Sequence, residues 1–135
     1  MMASILEIEG IGEVYRGKLV SYGLKTVEAL LKQGASPSGR KAIANGTGIS
    51  SGLILEWVNH ADLWRIKGVS EEYSDLIEEA GVDTVVELAQ RNAENLYMKM
   101  KEVNMEKKLV RRLPSARQVA DWVSQAKRLS RVITY

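Results

Sequence analysis

At 135 residues, with 45% hydrophobic and 27% charged side chains, the chain is long enough to bury roughly two thirds of its unfolded surface. Cysteine is absent and His60 is the sole histidine, which excludes disulfides, thiol chemistry and a zinc site of the Cys/His type. No basic segment followed by an apolar run opens the sequence, and nowhere do 18 apolar residues run together. The expectation is a cytoplasmic protein with no membrane segment, metal, cofactor or small-molecule substrate.

In chain order, every element reads as helical. Ser4 with Glu7 fits a capping box for a short first helix, and Gly10-Ile11-Gly12 then forms a tight turn where positive φ is expected. From Glu13 the apolar positions Tyr15, Leu19 and Tyr22 recur at helical spacing until Gly23, a left-handed stop. Thr26 caps a short helix ended by Gly34, and Ser36-Pro37 opens another that Gly46-Thr47-Gly48 ends. Ser50 caps a longer helix whose Leu53, Trp57, Ala61 and Trp64 form the inward stripe. Gly68-Val69-Ser70 is a second tight turn, followed by a helix from Glu71 with Tyr73, Ile77 and Ala80 inward and Gly81 as its stop. Thr84 with Glu87 reads as a capping box, and Asn92 starts a helix running to Val103. The basic stretch from Lys107 to Arg112 follows, Pro114 breaks it, and Ser115 with Gln118 caps a last helix facing Val119, Trp122, Val123, Ala126 and Leu129 inward.

The chain is written twice. Residues 8–31 overlay residues 66–89 at a constant offset of 58, with eight identities in 24 positions that include Gly10/Gly68, Tyr15/Tyr73 and Gly23/Gly81. The likeness resumes where Trp57-Val58-Asn59-His60-Ala61 matches Trp122-Val123-Ser124-Gln125-Ala126 at an offset of 65. A duplicated unit of about 60 residues is marginal alone, so the two copies are expected to share a core. The expected architecture is all-α, with two duplicated repeats packed into one compact helical unit: 1–65 is the first repeat with its following helices, and 66–135 the second with the basic C-terminal helices.

Ile8-Glu-Gly-Ile-Gly-Glu to Gly23-Leu24 has the spacing of a helix-hairpin-helix, and Ile66-Lys-Gly-Val-Ser-Glu to Gly81-Val82 repeats it with Ser70 in place of the second glycine. With Trp57 to Leu63 and Leu113-Pro114-Ser115, these stretches make the chain resemble a bacterial family described as a domain of unknown function with tandem helix-hairpin-helix motifs. That resemblance implies a fold and carries no catalytic residues. Helix-hairpin-helix proteins generally let the glycine turn's backbone N–H groups meet a phosphate at the start of the second helix, without reading sequence. Carried onto this chain, the phosphate-facing positions are Gly10, Ile11 and Gly12 with Lys18, and Gly68, Val69 and Ser70 with Lys67. Glu13, Glu71 and Glu72 place carboxylates against that phosphate. Otherwise these acids complement their own helix dipoles and the glycines only make turns.

Net charge is +2 but uneven, with residues 1–98 summing to −5 and 99–135 to +7. Lys99, Lys101, Lys107, Lys108, Arg111, Arg112, Arg117, Lys127, Arg128 and Arg131 are the basic candidates for nucleic acid, or else the solvated faces of amphipathic helices. Ala44, Gly48 and Ile54 keep a helix-turn-helix spacing, but the helix after Ser50 has no Lys or Arg before Arg65. His60 with Asn59 and Asp62 lacks a nucleophile motif, so it reads as a cap or interface histidine. Two readings stay open for a non-enzymatic chain. One is a protein-interaction or scaffolding module, self-associating through an acidic first part and a basic last part; the other binds the DNA or RNA backbone irrespective of sequence.

Overall fold

The computed structural model describes residues 4–8 and 10–135, except for the side chain of residue 71. After a 3-10 turn, Ile5–Glu7, come α1 (Glu13–Tyr22), α2 (Val27–Gln33), α3 (Pro37–Thr47), α4 (Ser51–Leu63), α5 (Glu71–Glu79), α6 (Val85–Ala89), α7 (Ala93–Lys107) and α8 (Ala116–Arg128). No strand occurs among the described residues, and one isolated bridge pairs Ser4 with Thr26. The fold is all-α.

The starts of most helices follow their sequence signals. Thr26, Ser36, Ser50, Asn92 and Ser115 each accept a hydrogen bond from a first-turn N–H, supplying one of the partners that a helix start lacks. Both capping boxes close fully at Ser4/Glu7 and Ser115/Gln118. At Thr84 only half a box forms. Its hydroxyl accepts from the Glu87 N–H, but the Glu87 carboxylate reaches past it to the Asp83 N–H at 3.4 Å.

The chain divides into two compact units, residues 1–62 with 132–135 and residues 63–131. The sequence grouped residues 132–135 with the second repeat, but they belong to the first unit. Arg40 explains their position. Its guanidinium is buried in α3 and donates to the Gly34 carbonyl at 2.8 Å and to the Thr134 carbonyl at 2.8 Å, while the Tyr135 ring lies 5.7 Å away. A buried cation needs such acceptors, and here the last residues of the chain supply one of them.

In the first unit, Ile5, Ile8, Leu19, Leu30, Ile43, Ile54 and Trp57 are buried, and Tyr15 meets Trp57 edge to face at 5.1 Å between ring centroids. Tyr22 departs from its expected inward place and is 38% exposed. The stripe expected on α4 is broader than four residues. Trp57 and Ala61 are buried and Leu53 and Trp64 half-buried, while Ile54, Val58, His60 and Asp62 are also buried. His60 is a buried residue in the last turn of α4.

The second unit has a core drawn from its own residues, from Leu63 to Ala126, with Trp122 at its centre and Tyr73 packed on it at 5.4 Å. α8 packs on α6 and α7. It buries Val119, Trp122, Val123 and Ala126, the i, i+3, i+4, i+7 stripe of an amphipathic helix. Leu129 drops out of that stripe because α8 ends at Arg128 and residue 129 is extended, which leaves its side chain 37% exposed. Asn104 folds the basic stretch back on α7: its side chain accepts from the Val110 N–H at 2.9 Å and donates to the Val110 carbonyl at 3.2 Å. No helix of the described residues is long and apolar enough to cross a membrane.

The division into units changes the charge picture. The acidic stretch 71–94 and the basic stretch 99–131 belong to one unit, with thirteen basic and eleven acidic side chains, while the first unit carries six of each.

Candidate nucleic-acid interface

Both glycine turns have the same geometry within their own units. Gly10 stands at φ +93° and Gly68 at +94°, and the next residue's N–H closes each turn, Ile11 onto the Ile8 carbonyl at 3.2 Å and Val69 onto the Ile66 carbonyl at 3.1 Å. The Ile11 and Val69 side chains are buried. The sequence offered Ile11 as a phosphate contact, but its amide is already used inside the turn and its side chain points into the core. What remains outward is the start of the following helix. Gly12 and Ser70, the N-caps of α1 and α5, make no side-chain capping hydrogen bond, in contrast to the other capped helices. The first amides of α1 and α5 are thus left to solvent or an anion.

The surroundings of the two turns differ. In the first unit, Gly10 and Gly12 are exposed and Lys18, further along α1, lines a shallow groove with Val14, Gly17, Ser21, Gly46 and Thr47. In the second unit, a cleft of about 380 Å³ beside Gly68 is lined by Arg65, Lys67, Asp121, Gln125, Arg128 and Leu129. Three cations and one carboxylate face that opening. The Gln125 side chain holds the Lys67 main chain at both ends, accepting from its N–H at 2.8 Å and donating to its carbonyl at 3.0 Å. Asp121 accepts a second hydrogen bond from the same Gln125 amide at 2.8 Å, so its carboxylate orients the clamp. Arg65 donates to the Ser130 carbonyl at 2.8 Å and Arg128 to the Ser124 hydroxyl at 3.1 Å.

Overlaying the repeats shows why only one turn is so equipped. At the offset of 58, Arg65 and Lys67 correspond to Glu7 and Glu9, and at the offset of 65, Gln125 and Asp121 correspond to His60 and Glu56. At the positions of Arg65 and Lys67 the second copy is cationic where the first is acidic, while Asp121 keeps the carboxylate of Glu56.

Of the basic residues singled out in the sequence, this cleft gathers Lys67 and Arg128. Lys107 is ion-paired with Glu79, which holds its ammonium pKa above the ordinary lysine value, first through the hydrogen bond and then through the charge. Lys99 pairs with Glu102 at 3.9 Å. Lys108 closes α7 in the left-handed conformation at φ 51°, and its side chain, like those of Arg111, Arg112, Arg117, Lys127 and Arg131, is exposed outside the cleft. Tyr73 donates to the Arg112 carbonyl at 3.0 Å, fixing that loop's backbone. Sequence reasoning missed Arg65, Gln125 and Asp121. The alignment of Trp57-His60 with Trp122-Gln125 contained the signal, since it brings the α8 residues beside the second turn.

These features define an all-helical protein in which two like glycine turns carry unlike charge. The chain matches the family described as Domain of unknown function (DUF4332) over residues 9–129, and it belongs to that family. No curated protein and no solved structure matches it.

Proposed function

We propose that this chain is a tandem helix-hairpin-helix module of the cytoplasm, without catalytic activity, that binds the nucleic-acid backbone irrespective of sequence through its second repeat. The observation that carries this reading is the cleft lined by Arg65, Lys67 and Arg128, in which Lys67 directly precedes the glycine of the second turn. A unit charge pair at 4 Å is worth ~1 kcal/mol in water and ~4 kcal/mol at an effective dielectric near 20; the cleft sets the cations of Arg65, Lys67 and Arg128 against the carboxylate of Asp121, while Glu71 and Glu72 at the start of α5 oppose a phosphate there. The first repeat, with Glu7 and Glu9 at the matching positions, serves as framework.

A protein-interaction or scaffolding role is the second reading, and the outward face of α7, where Met98 and Met105 are exposed, favours it. In that reading the acidic residues 1–98 of one copy meet the basic residues 99–135 of another.

The two readings separate in a mobility-shift titration of a random-sequence duplex and a single strand with nuclease-treated protein. Binding that is lost in the triple substitution Arg65→Gln, Lys67→Gln, Arg128→Gln and kept in Lys18→Gln supports backbone recognition by the second repeat. Equal binding by both variants overturns it.

A further inference from the structure

The outer face of α7 has no role in the cleft and no partner in its own unit. Its inner face buries Leu96, Met100 and Val103, whereas Met98 and Met105 stand 56% and 74% exposed. These two methionines are seven residues apart, two helical turns, and therefore share one stripe about 10 Å long. An open groove runs along that stripe between Lys99, Lys101, Glu102 and Glu106.

We infer that this face is a docking surface for a second copy of the chain, related by a two-fold axis that crosses α7 between Lys101 and Glu102. The order of charges selects this occupant and its direction. Lysines 99 and 101 fill the N-terminal half of the groove, and glutamates 102 and 106 the C-terminal half. In an antiparallel pairing about that axis, Met98 lies against the partner's Met105, and Lys101 against the partner's Glu102. A parallel pairing sets lysine on lysine and glutamate on glutamate. A two-fold interface must be complementary to itself, and only the antiparallel arrangement of this face is. Methionine suits the contact, being unbranched and able to fill an irregular gap. The face of one 15-residue helix falls short of the ~800 Å² per partner of standard interfaces, so the dimer is weak, with a dissociation constant on the order of 100 μM. This inference stands independently of nucleic-acid binding; if both hold, the dimer carries two cationic clefts and gains avidity on a long duplex.

The test is sedimentation equilibrium of the full, nuclease-treated chain from about 10 μM to 1 mM, a range bracketing that constant, at ~0.15 M ionic strength. Wild type is expected to dimerise, and Lys101→Glu and Glu102→Lys each to weaken the dimer about tenfold or more. An equimolar mixture of the two variants recovers it, because every cross-interface pair is then of opposite sign. Both positions are exposed, and circular dichroism verifies that the helices persist. A wild type that stays monomeric throughout overturns the inference. So does a dimer equally strong in both single variants, or a mixture that fails to recover it.

Discussion

Gln125 of α8 grips the main chain of Lys67 from both sides, accepting from its N–H and donating to its carbonyl. One neutral side chain thereby sets the position of a cation that stands next to Gly68. Asp121 holds the same amide from behind, which accounts for a carboxylate in an otherwise basic cleft. The clamp gives the proposed interface a member that carries no charge.

Gln125→Leu should accordingly weaken duplex binding by roughly fivefold, the scale of about one net hydrogen bond, while removing no positive charge. Titration of a labelled duplex reads the effect, and the salt dependence should keep its slope. Unaltered affinity would show that Lys67 needs no positioning.

The glycine turns offer a graded stability series. Gly68→Val should destabilise the chain by more than ~1 kcal/mol, because a branched side chain does not adopt φ +94° without strain. A Cβ there would also stand 3.0 Å from Trp122 Nε1, against 3.4 Å from Trp57 Nε1 for one on Gly10, so Gly10→Val should cost less. Gly12, at φ −89° with open space around it, should accept Ala at a cost of about 0.5 to 1 kcal/mol, that of alanine at a helix N-cap. Urea denaturation ranks the three, and a neutral Gly68→Val would discredit the turn's role.

Tyr73→Phe keeps the ring on Trp122 but removes the hydroxyl that donates to the Arg112 carbonyl. The expected loss is about 1 kcal/mol, with faster amide exchange confined to the loop around Arg111 and Arg112. Global rather than local loosening would contradict the tether.

The Lys107 ammonium is held above its ordinary value of 10.5 by Glu79. A raised folded-state pKa stabilises fully below the unfolded value, and the contribution disappears as pH rises through the folded one. Stability near neutral pH should therefore carry this pair's whole contribution without varying with pH on its account, and the side-chain nitrogen should titrate above 10.5 in the wild type and return toward 10.5 in Glu79→Gln. Because Lys107 is already paired, Lys107→Gln should leave the salt slope of duplex binding unchanged.

Local signals carried the helical framework. Serine, threonine and asparagine caps, left-handed glycines and the α8 stripe are written in consecutive residues, where spacing alone identifies them. The boundaries of burial were less legible. Leu129 continues the α8 periodicity but lies beyond the end of that helix, and Glu87 has the capping-box position yet bonds Asp83. The burial of His60 depends on packing around α4, which a helical repeat does not encode. The cleft itself was hidden because Arg65 and Lys67 meet Asp121 and Gln125 across more than 50 residues of chain, and residues so far apart share a site only once α8 has docked. The basic run 107–112 drew notice by density, although the fold gives Lys107 a carboxylate partner.

The most direct test is fluorescence anisotropy of a labelled random duplex against the nuclease-treated protein between about 50 and 200 mM salt. Two to three phosphate contacts from Arg65, Lys67 and Arg128 give a log–log slope of about −2 to −3, a fall in affinity of about 10- to 40-fold over that range. Each single cation removed should lessen the slope by about one. Absence of binding at 50 mM, or a slope untouched by all three substitutions, would contradict backbone recognition by the second repeat.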